Sequence, residues 1–238
     1  MTGNIFYPVT GALTAGSTVA VHADPDKTLE YVEADGTLYV DTCVKGKAGT
    51  KAEMTFNVNE NNGNPSYLLS SYGNNVHMNF CYFGNSINVG FGGSDWNTFW
   101  SGYSKGTQYT LKSEYTLAKK VNARLNGDQA SEKTATGGTN SGVNLYALAR
   151  NKAGLVDAGC SVKLYAMKIL QADAVGTYSI VRDFKPCVAT NGVAALYDKV
   201  SGTIFYPHGG LLATGGVECA VAATAWWKGG IRPGRRDA

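Results

Sequence analysis

An all-β sandwich of two antiparallel sheets is the fold class that this 238-residue sequence predicts, and three observations predict it. Thirty glycines and fourteen tyrosines against 16% charged residues suit turn-rich β structure better than helices. Short segments alternate polar and apolar residues with the period of two that lays one strand face on a core. Clusters of Gly, Asn, Ser and Pro separate those segments at close intervals. The chain is long enough for one large β domain with a substantial core. A jelly roll, which wraps the sandwich, protects strand edges that otherwise invite aggregation.

Strands are expected at 29–33 and 37–42, on either side of an Asp35-Gly36 turn. From Lys51 to Val58 polar and apolar residues alternate through eight positions, the pattern of a half-buried strand. The turn cluster Asn61-Asn62-Gly63-Asn64-Pro65 follows, then strands at 66–70, 76–83, 86–91 and 107–113. Glu114 to Arg124 has room for a few helical turns, yet 121–127 reads better as a strand entering the tight Asn126-Gly127 turn. Beyond the Gly-rich 136–142, strands are expected at 143–149, 161–169 and 177–184.

The chain repeats itself once. Residues 2–8 (TGNIFYP) match 201–207 (SGTIFYP), and the match continues at the same offset, Gly11 with Gly210, Leu13 with Leu212 and Gly16 with Gly215. Self-similarity at so long a spacing points to arrayed whole domains. The expected organisation is 1–24 as the tail of a preceding repeat or a linker, 25–215 as the sandwich, and 216–238 as a basic linker or the start of the next unit. The formal charge of +3 resides in the last thirteen residues, where Lys228, Arg232, Arg235 and Arg236 face only Asp237. A body of zero net charge offers no general attraction for nucleic acid. No apolar run has the length of a membrane span, and no signal peptide opens the chain. Five cysteines, Cys43, Cys81, Cys160, Cys187 and Cys219, show no CxxC spacing, so most of them are read as small core residues, with one disulfide left open.

Several segments resemble a bacterial and phage module of the concanavalin A-like, laminin-G-like jelly-roll family. Residues 29–42 (LEYVEADGTLYVDT) resemble that family's first hairpin, 145–151 (LYALARN) and 163–169 (KLYAMKI) two later strands. The run 181–187 (VRDFKPC) and then 192–206 (GVAALYDKVSGTIFY) resembles its closing part. The resemblance covers about 29–207 and implies the fold and a secreted or surface setting in bacteria. It leaves function open, since this fold hosts lectins, hydrolases and spacers. Cys43 departs from the pattern by standing where the family carries Gly, and 72–104 matches none of it.

Hydrolases of this fold carry paired carboxylates on one strand face. Glu30, Glu33 and Asp35 come nearest, but Glu30 and Glu33 face opposite sides of a strand and Asp35 sits in a turn. No G-x-S-x-G elbow or phosphate-binding loop occurs, and His22, His77 and His208 lack local partners. The sequence is therefore read as non-enzymatic. Calcium is the one metal with oxygen ligands on offer, in Asp24, Asp26, Asn57, Asn59, Glu60 and Asn61, yet no ligand spacing supports it and no cofactor is expected. Arg182-Asp183 reads as a local ion pair or an edge-strand pair.

Sugar recognition needs an aromatic face flanked by amides and carboxylates. Residues 91–103 (FGGSDWNTFWSGY) hold those types together, with Asn79 and Tyr82 on the preceding strand. Asp95, Trp96, Asn97, Trp100 and Tyr103 are the candidate glycan patch, although aromatics also fill sandwich cores. The expected function is a non-catalytic carbohydrate-binding or adhesion module, with a glycan or surface polysaccharide and neighbouring copies as partners. A structural spacer is the alternative. Exposure of Trp96, Trp100 and Tyr103 discriminates between the two.

Overall fold

The computed structural model describes residues 20–22, 27–60, 65–93, 97–129, 132–215 and 219–220. Among them every regular element is a strand, in two sheets facing across a shared core. The first sheet runs, in spatial order, Ala20–His22, Thr203–Phe205, Ala194–Asp198, Tyr178–Val188, Ser161–Ala172, Thr50–Val58, Gln108–Tyr115, Lys120–Leu125 and Asp128–Gln129. The second runs from Leu155–Asp157 through Arg150–Lys152, Ser66–Gly73, Val76–Phe83 and Ser86–Gly92 to Asn97–Ser101. Asn140–Ala147 joins it to Val40–Lys47, which among the described residues pairs with no other strand and forms an edge. Pairing is antiparallel apart from Arg150–Lys152 beside Ser70–Tyr72, which is parallel. Two antiparallel sheets with nonlocal crossovers make the concanavalin A-like jelly roll.

Alternation explains the core. Ala52, Met54, Phe56 and Val58 from one sheet and Met78, Phe80, Val89 and Phe91 from the other are fully buried between the layers. Phe91 stacks on Tyr115 across the gap, with ring centroids 5.2 Å apart, and meets Phe80 edge-on at 5.5 Å. Such aromatic pairs add about 0.5–1.5 kcal/mol each beyond burial.

The expected strands form, with shifted ends. The helix-capable stretch is a hairpin: Lys120–Leu125 pairs with Gln108–Tyr115 and then turns at Asn126 and Gly127, both with positive φ, as a tight twisted turn requires. The strand expected at 143–149 ends at Ala147, because Leu148 takes a left-handed φ of 70°. The strand expected at 37–42 becomes Val40–Lys47, since Asp35 holds Thr37 in a turn through its main-chain N–H and hydroxyl. Asn97–Ser101, not among the expected strands, is an edge strand paired with Ser86–Val89.

Residues 2–16, the first copy of the repeated motif, lie outside the described residues. Of the segment assigned to a leading tail, Ala20–His22 pairs with Thr203–Phe205, inside the second copy. Cys219–Ala220 pairs with Lys27–Thr28. Cys81, Cys160 and Cys187 are buried thiols and Cys43 an exposed one, none of them in a disulfide. Burial pushes the Cys187 thiol up to about 12.

Candidate functional site

Two members of the expected patch, Asp95 and Trp96, lie outside the described residues, and of Asn97 only the backbone, paired with Val89, is described. Trp100 pairs with Ile87, whose side chain is core, and packs half-buried against that core. Tyr103 also packs there, edge-on to Tyr82 at 5.9 Å and to Tyr109 at 6.4 Å. Tyr82 is itself interior, its hydroxyl bonded to the Glu60 and Ser161 carbonyls. Asn79 is buried on the outer side of its strand and accepts from the Ser70 hydroxyl at 2.5 Å.

Polar and aromatic chemistry converges elsewhere, at the start of the edge strand Val40–Lys47. Tyr39 stacks on Tyr146 (centroids 4.4 Å, planes 20° apart) and on His208 (5.0 Å, 19°). Tyr39 is common to both contacts, so the rings form a column with buried Tyr146 at one end and half-buried His208 at the other. The backbone fixes the column: Tyr39 N–H donates to the His208 carbonyl at 3.1 Å, and His208 N–H returns a bond at 2.8 Å. Tyr146 stands opposite Asp41 in the ladder. Burial first, then the neighbouring Asp41 charge, pushes the Tyr146 phenol up to about 12 and raises Tyr39 as well. Both stay neutral at ordinary pH and remain hydrogen-bond donors.

Asp41 is almost fully buried and is held in place. Asn144 Nδ2 donates to Asp41 Oδ1 and Oδ2, and the Cys43 main-chain N–H donates to Oδ1 at 2.8 Å. Cys43 reaches that carboxylate by adopting a left-handed φ of 57°. Register shifts flank Asn144 in the ladder. Bulges and left-handed non-glycine residues re-aim side chains and concentrate at working sites. The sequence carried one signal of this, Cys43 where the resembled family has Gly, and it gave no sign that Tyr39, Tyr146 and His208 stack. Asp41, Asn144 and those three rings are the residues that sequence reasoning missed.

Other polar clusters are balanced internally. Over the outer face of the first sheet, Lys51, Glu53, Lys112, Glu114 and Arg124 border a hollow of about 490 Å³. There Lys112 pairs with Glu53 at 3.2 Å and Lys51 with Glu114 at 3.7 Å, each directly across the ladder. The two glutamates come from adjacent strands, a pairing that no single-strand motif reveals, and each faces a lysine. Arg182 pairs with Asp198 at 3.7 Å, rather than with Asp183 as the local reading had it, because Asp198 lies buried on the neighbouring strand. Among the described residues no group of three or more His, Cys, Asp or Glu side chains is placed to hold a metal ion. Of the calcium candidates, Asn59 instead donates to Glu33 Oε1 at 2.7 Å, and Asp24, Asp26 and Asn61 lie outside the described residues.

No protein-family model and no curated protein matches the chain. Solved structures do. A candidate carbohydrate-binding protein from Bacteroides ovatus matches over 82% of the chain with a TM-score of 0.54 at 9% identity. Domains LG4-5 of the mouse laminin α1 chain match over 67% with a TM-score of 0.45 at 12% identity. The Trypanosoma rangeli sialidase matches over 54% with a TM-score of 0.42 at 11% identity. The chain spans 62%, 46% and 22% of these three proteins respectively. At such identities the likeness is one of fold.

Proposed function

We propose that the chain is a non-catalytic carbohydrate-binding module of a repetitive secreted or bacterial surface protein. The observation that carries this reading is the Tyr146–Tyr39–His208 column beside the carboxylate–amide pair of Asp41 and Asn144. A ring face takes the apolar side of a pyranose, and the buried Asp41–Asn144 pair holds the bulged strand that carries the rings. His208 is the accessible end of the column, so it is the ring on which a sugar stacks. The description of the Bacteroides ovatus protein adds support by analogy of fold. One stacking contact contributes on the order of 1 kcal/mol, so single-site affinity is weak and tandem copies raise it by avidity. The repeated IFYP motif is the sign of those copies.

The test is a glycan-array screen of the chain against His208→Ala and Asp41→Asn. Retention of a glycan by the parent and several-fold loss in both variants is the expected result. Equal retention by all three sinks the reading.

The half-burial of Trp100 and Tyr103 on the core favours a second reading, a structural spacer without a ligand. A screen in which the parent retains no glycan decides for the spacer.

A further inference from the structure

The edge strand Val40–Lys47 is sealed to the opposite sheet by side chains. Arg182 Nε donates to the Thr42 carbonyl at 2.9 Å, and Gln171 Nε2 donates to the Lys45 carbonyl at 2.8 Å. These bonds cap carbonyls that an open edge would leave to another chain. Above the seam lies a cavity of about 490 Å³, lined by Lys45, Lys47, Arg182, Asn140, Asn144 and Gln171 together with Cys43. No carboxylate lines it.

The strand pattern builds this lining. Residues 45 and 47 share one face because side chains alternate. Gly46 between them faces inward, where a Cβ would meet Ser71 Oγ at 2.4 Å. Across the ladder Asn144 stands opposite Lys45, and Asn140 opposite Lys47. The cavity wall is thus two cation–amide pairs side by side. Asp198 already balances Arg182. No ion pair among the described residues engages Lys45 or Lys47. Asn140 Oδ1 accepts from the Gly142 N–H at 2.9 Å, so its Nδ2 is the group with donors to offer.

We propose that the glycan bound by this module is acidic, and that its anionic group, a uronate carboxylate or a sulfate ester, sits between Lys45 and Lys47 in the seam cavity. The proposal rests on the carbohydrate-binding reading and names its ligand class. Asn144 joins the two regions, since it lines the cavity and also holds Asp41 beside the ring column. Ammonium and amide donors together match an oxyanion, whereas a neutral sugar draws no benefit from the uncompensated charge.

The experiment is affinity electrophoresis of the full chain through gels containing dextran, dextran sulfate or polygalacturonate. It compares the parent with Lys45→Glu/Lys47→Glu. The same comparison is run with Arg232, Arg235 and Arg236 replaced by Ala, which removes the terminal charges that attract any polyanion. Circular dichroism melts establish that the lysine variant folds, as expected for side chains outside the core. The expected result is retardation by one or both acidic polymers that falls about tenfold or more in the lysine variant, with or without the terminal arginines. Dextran sulfate alone identifies sulfate, and polygalacturonate alone identifies uronate. Acidic-polymer retardation unchanged by the lysine substitutions overturns the proposal and leaves the glycan reading standing. So does retention confined to neutral dextran. Retardation by none of the polymers, with an empty glycan array, overturns both.

Discussion

The side-chain amide of Asn144 donates to both carboxylate oxygens of Asp41, at 3.0 and 3.2 Å. A carboxylate with so little solvent around it depends on such donors, since an ion taken from water is costly unless its oxygens are satisfied. Asn144 is in turn fixed through its carbonyl, which accepts from Asn151 Nδ2 at 2.8 Å. The pair holds the bulged strand in the shape that presents the ring column.

Asn144→Ala is therefore expected to lower unfolding stability by about 1–3 kcal/mol, the cost of leaving a buried acceptor short of donors. Adding Asp41→Ala to it should cost less than the sum of the two single changes, because they remove one shared interaction. Denaturant midpoints of the four chains measure this. Strict additivity excludes the coupling.

Cys43 gives a second expectation. Its φ of 57° lies in the left-handed region, which costs an L-residue roughly 1–2 kcal/mol. Glycine avoids that strain but loses more chain entropy on folding, by about 0.5–1 kcal/mol. Cys43→Gly should then be neutral or stabilising, by about 1.5 kcal/mol at most, whereas a β-branched Cys43→Val should lose more than about 1 kcal/mol. Equal midpoints for Gly and Val variants would show that the left-handed turn is not what position 43 requires.

Alkaline pH should unfold the chain early. In the unfolded chain Cys187 ionises near its ordinary 9.0 and Tyr146 near 10.0, whereas burial pushes both up to about 12 in the native state. Between these values the native state holds more protons than the unfolded one, so stability falls as pH rises. Burial raises Tyr82, Tyr178 and Cys160 in the same direction. The expected outcome is a melting temperature steady to about pH 9 and declining from there toward pH 12. Cys187→Ala should flatten the first part of that decline. A profile identical to that of the parent removes Cys187 from this account.

Alternation and turn chemistry made the sandwich legible. Lys51 to Val58 and Ser161 to Ile169 announce strands, and Asn126-Gly127 announces a hairpin whose two positive φ values are observed. Edge strand Asn97–Ser101 was not legible, because its Gly- and Asn-rich surroundings resemble a loop, and only the ladder with Ser86–Val89 reveals it. The candidate site was illegible for a different reason. Tyr39, Tyr146 and His208 are more than sixty residues apart in pairs, and the Tyr39–His208 bridge brings the three rings together. Lys45 and Lys47 lie beyond the strand expected at 37–42, and only the ladder sets Asn144 and Asn140 opposite them.

The last expectation concerns the aromatic segment that the sequence put forward first. Trp100 lies opposite core residue Ile87, and Tyr103 wedges edge-on between Tyr82 and Tyr109. Both rings are half-buried, so truncation opens a void at the edge of the core and strips the edge strand of an anchor. Trp100→Ala and Tyr103→Ala should each cost about 2–3 kcal/mol, somewhat below the figure for a fully interior aromatic. If these rings serve packing, each variant that still folds should keep whatever glycan retention the parent shows, because the column at His208 is untouched. The readout is the denaturant midpoint beside array retention for each variant. Stability within about 0.5 kcal/mol of the parent, the usual range of surface changes, combined with lost retention, would move the binding surface to this edge strand.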